Sequence, residues 1–178
     1  MMNTASNIVL VGSTGAGKSS IAKMLATPLE LTAVDLDREI EQRVGASVKQ
    51  IFEEKDEAYF RAREADTLND LLQRDGIILA TGAGSILDPA NREIMRARAF
   101  VIHIEVSVDE QIRRLCKDQT RPLLQRPDRE EVLQRMAEAR TPFYREVAHM
   151  NFNNNIERSS KGACAQLLTQ ILRHWKRP

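Results

Sequence analysis

The sequence predicts an α/β protein, a parallel sheet with helices on both faces, and two observations carry that reading. The apolar run Ile8-Val9-Leu10-Val11 leads into Gly12-Ser13-Thr14-Gly15-Ala16-Gly17-Lys18-Ser19-Ser20 and then Ile21-Ala22-Lys23-Met24-Leu25, which is strand, glycine-rich loop and helix in succession. Along the rest of the chain strand-like and helix-like segments alternate, the pattern that right-handed crossovers turn into parallel strands covered on both sides. A length of 178 residues suits one domain with a substantial core, so residues 1–178 are read as a single unit.

The first loop has the spacing G-x-x-x-x-G-K-S of a P-loop. Its glycines let successive backbone N–H groups turn toward one point at a helix N-terminus and form an anion nest. Gly15, Ala16, Gly17, Lys18, Ser19 and Ser20 are therefore expected to hold nucleotide phosphates. Lys18 would reach the β- and γ-phosphates, and the Ser19 hydroxyl would sit on a Mg²⁺ bridging them. Leu29 to Leu36 reads as a second strand, ending in Val34-Asp35-Leu36-Asp37. Residues i and i+2 of a strand share a face, so Asp35 and Asp37 would project together from the sheet edge where open α/β sheets bind ligands. Capping of the following helix, Arg38 to Val44, by Asp37 is an equal alternative. Gly45 ends that helix, and Ser47 to Phe52 begins another.

From Asp56 to Arg74, Phe60, Leu68, Leu71 and Leu72 form the apolar stripe of a long helix. On pattern alone, Arg61 and Glu64 read as a solvated i,i+3 surface pair. Gly76 to Ala80 is a strand delivered into Thr81-Gly82-Ala83-Gly84, either a backbone that approaches a ligand closely or an ordinary loop before the helix opened by Asp88-Pro89. Ala99 to Ser107 is a buried strand in which His103 reads as structural, and Ser107 with Glu110 forms a capping box. The helix bearing Arg113 and Arg114 gives way at Lys117 to a basic run between Thr120 and Pro127, by default a solvated connection and otherwise a loop that closes over nucleotide. Asp128 and Glu131 open a long helix that Pro142 should interrupt, with a kink near Arg140. His149 to Phe152 is a last strand, residues 153–160 a polar loop, and Cys164 to Trp175 a terminal helix with Leu167, Leu168, Ile171 and Leu172 inward.

Charge narrows the function classes. With 26 Lys+Arg against 25 Asp+Glu, a net charge of +1 supplies no overall field for nucleic acid or an anionic membrane. No apolar run approaches the roughly 20 residues needed to cross a bilayer. Cys116 and Cys164 lack metal-ligand spacing, which suits thiols in a reducing cytoplasm, the expected location.

Taken in order, Gly12 to Ser20, Asp35-Leu36-Asp37, Phe60-Arg61-Ala62-Arg63-Glu64, Thr81 to Gly84, Arg121-Pro122-Leu123-Leu124 and Arg140-Thr141-Pro142-Phe143-Tyr144 resemble the motifs of shikimate kinase over nearly the whole chain. The resemblance implies a three-layer P-loop kinase fold with a five-stranded parallel sheet, a substrate-binding segment at about 35–64 and a mobile lid at about 117–127. It further implies Mg²⁺-dependent phosphorylation of the shikimate 3-hydroxyl by ATP, on the route to chorismate and the aromatic amino acids, by a monomer. Arg61 and Arg140 would hold the substrate carboxylate through a bidentate fork, which overturns the surface reading of Arg61. Asp37 would hold the substrate hydroxyls, Asp35 would lie near Mg²⁺, Arg121 would belong to the lid, and Arg114 and Arg158 would lie beside the adenine.

Two positions depart from the family's usual pattern. Gly82-Ala83-Gly84 stands where three glycines are usual, and the middle residue donates its N–H to substrate, a contact alanine keeps if its φ is negative. Asp56 replaces the glycine of the G-E-x-x-F-R turn. Another small-molecule kinase such as a gluconate kinase would share the fold, and a non-catalytic nucleotide switch is a third reading, opposed by the absence of N-K-x-D.

Overall fold

The computed structural model describes residues 3–115 and 127–155 and, with the side chain of residue 160 excepted, 160–178. Arg121, Arg158, Cys116 and the expected lid except Pro127 lie outside the described residues. Five parallel strands, β1 (Asn7–Val11), β2 (Thr32–Asp35), β3 (Ile77–Ala80), β4 (Ala99–Glu105) and β5 (Met150–Asn153), form one sheet in the order β2-β3-β1-β4-β5. Around it lie α1 (Lys18–Ala26), α2 (Leu36–Val44), α3 (Val48–Glu54), α4 (Glu57–Leu72), α5 (Pro89–Arg98), α6 (Val108–Leu115), α7 (Arg129–Val147) and α8 (Ser160–His174).

The two-residue period of β1 divides the core. Ile8 and Leu10 face one layer with Ile21 and Leu25 of α1 and Leu167 and Ile171 of α8, while Val9 and Val11 face the other with Leu36, Ile40, Phe60, Leu68 and Met95. Each such side chain contributes about 1.5–3 kcal/mol on burial, so these two layers are the main stabilising term and hold the sheet edge rigid. Strands β2 and β3 lie on one side of β1, with β4 and β5 on the other. The C-terminal end of β1 therefore stands where the winding reverses, the position at which an open α/β sheet forms a ligand crevice.

Several local expectations hold in atomic detail. Gly45 caps α2 in the left-handed conformation, φ 75°, and its N–H donates to Glu41 O. The Asp88 side chain caps α5, with Pro89 at the helix start. Asp56 N-caps α4 by accepting from Tyr59 N at 2.7 Å, which gives this departure from the family turn a structural job.

Other expectations are corrected. Strand β2 stops at Asp35, and Asp37 falls in the first turn of α2. Asp35, not Asp37, is the N-cap, accepting from Arg38 N at 3.3 Å. Leu36 is completely buried, so turning at Asp35 places it in the core. Helix α7 continues through Pro142 to Val147. Proline removes one amide donor there, but Pro142 and the residue four before it, Glu138, are both exposed, so water can serve the carbonyl. Asp128 takes the N-cap position of α7 without a side-chain cap bond. Helix α8 begins at Ser160, ahead of the expected start, and Leu172 is 56% exposed because it lies one helical step past the buried stripe of Leu167 and Ile171.

Candidate active site

The loop after β1 has the backbone an anion nest requires. Gly15 and Gly17 adopt φ 74° and 89°, and Gly17 is the N-cap of α1. No acidic side chain stands in the first turn of α1, so its N-terminal field is left for a ligand. Lys18 is 8% exposed, and its Nζ donates to Gly12 O at 2.7 Å and Ser13 O at 2.8 Å, which pins the ammonium against the loop. Ser19 Oγ donates to Asp35 Oδ2 at 2.5 Å. These two hard oxygens at the helix N-terminus fit Mg²⁺, an ion that takes few protein ligands and completes its shell from phosphate and water. Among the described residues no cluster of three His, Cys, Asp or Glu could hold a metal by itself.

The outer limb of the loop is held from α6 and from the end of β5. Arg114 Nη1 donates to Gly15 O at 3.2 Å, and Asn154 Nδ2 donates to Ala16 O at 2.8 Å. Glu110 orients Arg114 through an Nε–Oε1 bond of 2.6 Å. The Ser107 side chain accepts from Glu110 N, but the Glu110 carboxylate turns to Arg113 and Arg114 instead of completing the capping box. Hydrogen bonding from Arg113, with Arg114 adding to it, holds that carboxyl down to about 2.

The second half of the site is assembled on the turn after β3. An ideal Cβ on Gly82 would stand 3.0 Å from Asp37 Oδ1 and 3.0 Å from Glu64 Oε1. One on Gly84 would stand 2.5 Å from Arg61 Nη2. Arg140 Nη1 lies 3.4 Å from Ala83 O, and Tyr144 OH donates to the same oxygen at 2.7 Å. Asp37, Arg61 and Arg140, drawn from α2, α4 and α7, thus converge on three consecutive residues. Glycine is required at 82 and 84 for space and not for backbone angle, since neither has a positive φ. Ala83 also lacks a positive φ, so the middle position accommodates its methyl group without left-handed strain.

Arg61 is positioned by a buried chain of bonds. Glu64 is 1% exposed; its Oε2 accepts from Arg61 Nη1 at 2.6 Å and its Oε1 from Ser85 Oγ at 2.6 Å. Asn91 Nδ2 in turn donates to Ser85 O at 3.0 Å. The solvated-pair reading of Arg61 and Glu64 fails on this burial, and a signal for it was present. Glu64 lies four residues from both Phe60 and Leu68, on the stripe that is buried. Ser85 carried no comparable local signal, because it acts on Glu64, 21 residues earlier in the chain, and Asn91 acts only through Ser85. Of the expected site residues, Ser20 is exposed on α1 beside the nest, and Gly15, Ala16, Gly17, Lys18, Ser19, Asp35 and Arg114 gather around the loop.

A family model described as shikimate kinase matches residues 14–175. A shikimate kinase of Xanthomonas axonopodis pv. citri is 47% identical over 175 residues, 98% of this chain and 97% of the relative. One of Stenotrophomonas maltophilia is 43% identical over 176 residues, 99% of this chain and 97% of the relative. Among solved structures, shikimate kinase from Acinetobacter baumannii in complex with shikimate superposes with a TM-score of 0.84 at 40% identity, covering 96% of this chain and 92% of that one. With the phosphate loop, the three-residue turn and these similarities in agreement, the chain belongs to the shikimate kinase family.

Proposed function

We propose that this enzyme transfers the γ-phosphoryl group of ATP to the 3-hydroxyl of shikimate, giving shikimate 3-phosphate. The observation that carries the reading is the convergence of the Asp37 carboxylate and two guanidinium groups on Gly82-Ala83-Gly84. A small polyol acid needs that pairing, with an acceptor for its hydroxyls and cationic forks for its carboxylate. Asp37 orients the attacking hydroxyl and accepts its proton, while Arg61 and Arg140 clamp the carboxylate and the Ala83 N–H donates to substrate. Lys18 and the loop amides hold the β- and γ-phosphates in line, and Arg121 adds positive charge at the transferring group. Mg²⁺ held by Ser19 and Asp35 supplies further neutralisation of the phosphate charge when bound. Arg114 and Arg158 are assigned to the adenine side. Residues 1–178 act as one domain, a monomer in the cytoplasm, without nucleic acid or membrane. Among the described residues no helix is long and apolar enough to cross a membrane.

The test is a double-mutant cycle on shikimate kcat/KM with Arg61→Ala, Arg140→Ala and the pair, with ATP affinity as control. Each single change is expected to cost about 2 to 5 kcal/mol of substrate interaction. The pair should cost less than the sum, because both residues share one partner. Fully additive losses refute the shared carboxylate. A coupled ADP-release assay across shikimate, gluconate and quinate tests the substrate directly, and turnover of gluconate in preference to shikimate would reject the reading.

A further inference from the structure

In the motif Arg140-Thr141-Pro142-Phe143-Tyr144 the expected site role falls on the arginine alone, yet Tyr144 is the residue that makes the shorter contact with the substrate turn. Its side chain is 2% exposed. The ring stacks on His103 of β4, with centroids 4.8 Å apart and 20° between planes, so the phenol is aimed by the sheet and has little rotamer freedom. Its hydroxyl donates to Ala83 O at 2.7 Å, while Arg140 Nη1 stands off the same oxygen at 3.4 Å, near the limit of a hydrogen bond. Burial pushes the Tyr144 phenol up to about 12 against the opposing charge and hydrogen bonding of the neighbouring Arg140, so the hydroxyl keeps its proton and remains a donor.

Two donors meet one carbonyl here, and the stronger bond goes to the neutral one. The carbonyl oxygen has room for both donors, and the hydroxyl that makes the shorter bond stands beside the guanidinium and fixes where it lies. We infer that Tyr144 is a positioning residue whose hydroxyl, fixed on the Ala83 carbonyl, holds the neighbouring Arg140 guanidinium in place for the substrate carboxylate. The inference rests on the proposed role of Arg140. It differs from a plain packing role in one respect: the hydroxyl should matter only while Arg140 is present.

Tyr144→Phe deletes the hydroxyl and leaves the stacked ring in place. The Arg140 guanidinium should then lose that hold, and shikimate KM should rise about tenfold, the scale of one charge-assisted hydrogen bond. Saturating kcat and the KM for ATP should stay at wild-type values. In an Arg140→Ala background the same Tyr144→Phe change should leave shikimate KM where Arg140→Ala alone put it. Wild-type shikimate KM in Tyr144→Phe, or an equal fold-loss with and without Arg140, overturns the inference and leaves the carboxylate reading standing. If Arg140→Ala by itself leaves shikimate KM unchanged, the carboxylate reading fails and the inference falls with it. A loss of ATP affinity or of melting temperature in Tyr144→Phe matching the rise in shikimate KM would assign the hydroxyl to fold stability and also overturn it.

Discussion

Adding one methyl group at Gly84 should separate substrate binding from folding more cleanly than removing a charged residue. Gly84 has φ −98° and ψ −5°, a conformation alanine adopts without left-handed strain, so the backbone offers no objection to Gly84→Ala. The objection is the Arg61 guanidinium, whose Nη2, Nη1 and Cζ would lie 2.5, 2.8 and 2.9 Å from the new carbon. To reach an ordinary separation of about 3.5 Å the guanidinium must recede by roughly 1 Å. Its Nη1–Glu64 bond is 2.6 Å long, so a retreat on that scale stretches it toward the limit of a hydrogen bond. Glu64 cannot follow, because Ser85 holds its other oxygen at 2.6 Å. Arg61 can still lean on Glu57, where its Nη2 now makes a 3.1 Å contact near the surface. The charge is therefore not stranded, and the stability cost should stay well below the about 3–5 kcal/mol of a buried pair broken by deleting a partner.

On the proposed function, substrate binding has no such fallback, since the shikimate carboxylate would need the guanidinium where it now lies. Shikimate kcat/KM should fall by about 2 kcal/mol or more, upwards of twentyfold, with the KM for ATP unchanged. Steady-state kinetics with each substrate varied in turn, alongside a thermal melt, gives both numbers. Wild-type shikimate KM in folded Gly84→Ala would refute the placement of Arg61 at this turn. Ala83→Gly is the internal control: Ala83 already has an unstrained φ, so restoring the family's usual residue should change shikimate kinetics little.

Two further outcomes are expected. Lys18→Met should lower kcat by about a hundredfold or more while the fold persists, since the ammonium is held by Gly12 and Ser13 carbonyls at the loop and, on the proposed function, its charge serves the phosphoryl group in transfer; unchanged kcat would remove Lys18 from the phosphates. His103 and His149 are both held below the ordinary value of 6.5, chiefly by burial, so as pH falls through 6.5 the unfolded chain takes up protons that the folded chain still refuses. Stability should accordingly decline from about pH 8 to about pH 5.5, and the decline should be shallower in His103→Asn; urea midpoints that are flat over this range would contradict the assignment.

The sequence by itself determined the features whose physics is local. Glycine at 15 and 17 codes left-handed backbone, lysine and serine at fixed offsets follow the loop into α1, and Asp88-Pro89 and Gly45 mark helix ends through their own side chain or lack of one. The unbroken apolar run Ile8 to Val11 likewise marks a strand buried on both faces, because consecutive side chains point to opposite faces and all four are apolar. Even so, the boundary between β2 and α2 was misjudged, since Asp35 and Asp37 are equally good caps and only the need to bury Leu36 chooses between them.

Family resemblance supplied the names of Arg61 and Arg140, but composition and spacing left Arg61 in a surface pair and Arg140 without a site role. Tertiary structure alone brings them together, by packing α4 and α7 around the turn that β3 delivers, and it alone shows the supports behind them. Ser85 reaches Glu64 from the loop after β3, Tyr144 reaches Ala83 from α7, and neither bond leaves a trace in local periodicity. A hydrogen bond between residues far apart in the chain depends on where two separate elements are placed by the core, and that placement is a property of the folded sheet and its two apolar layers, not of any one segment.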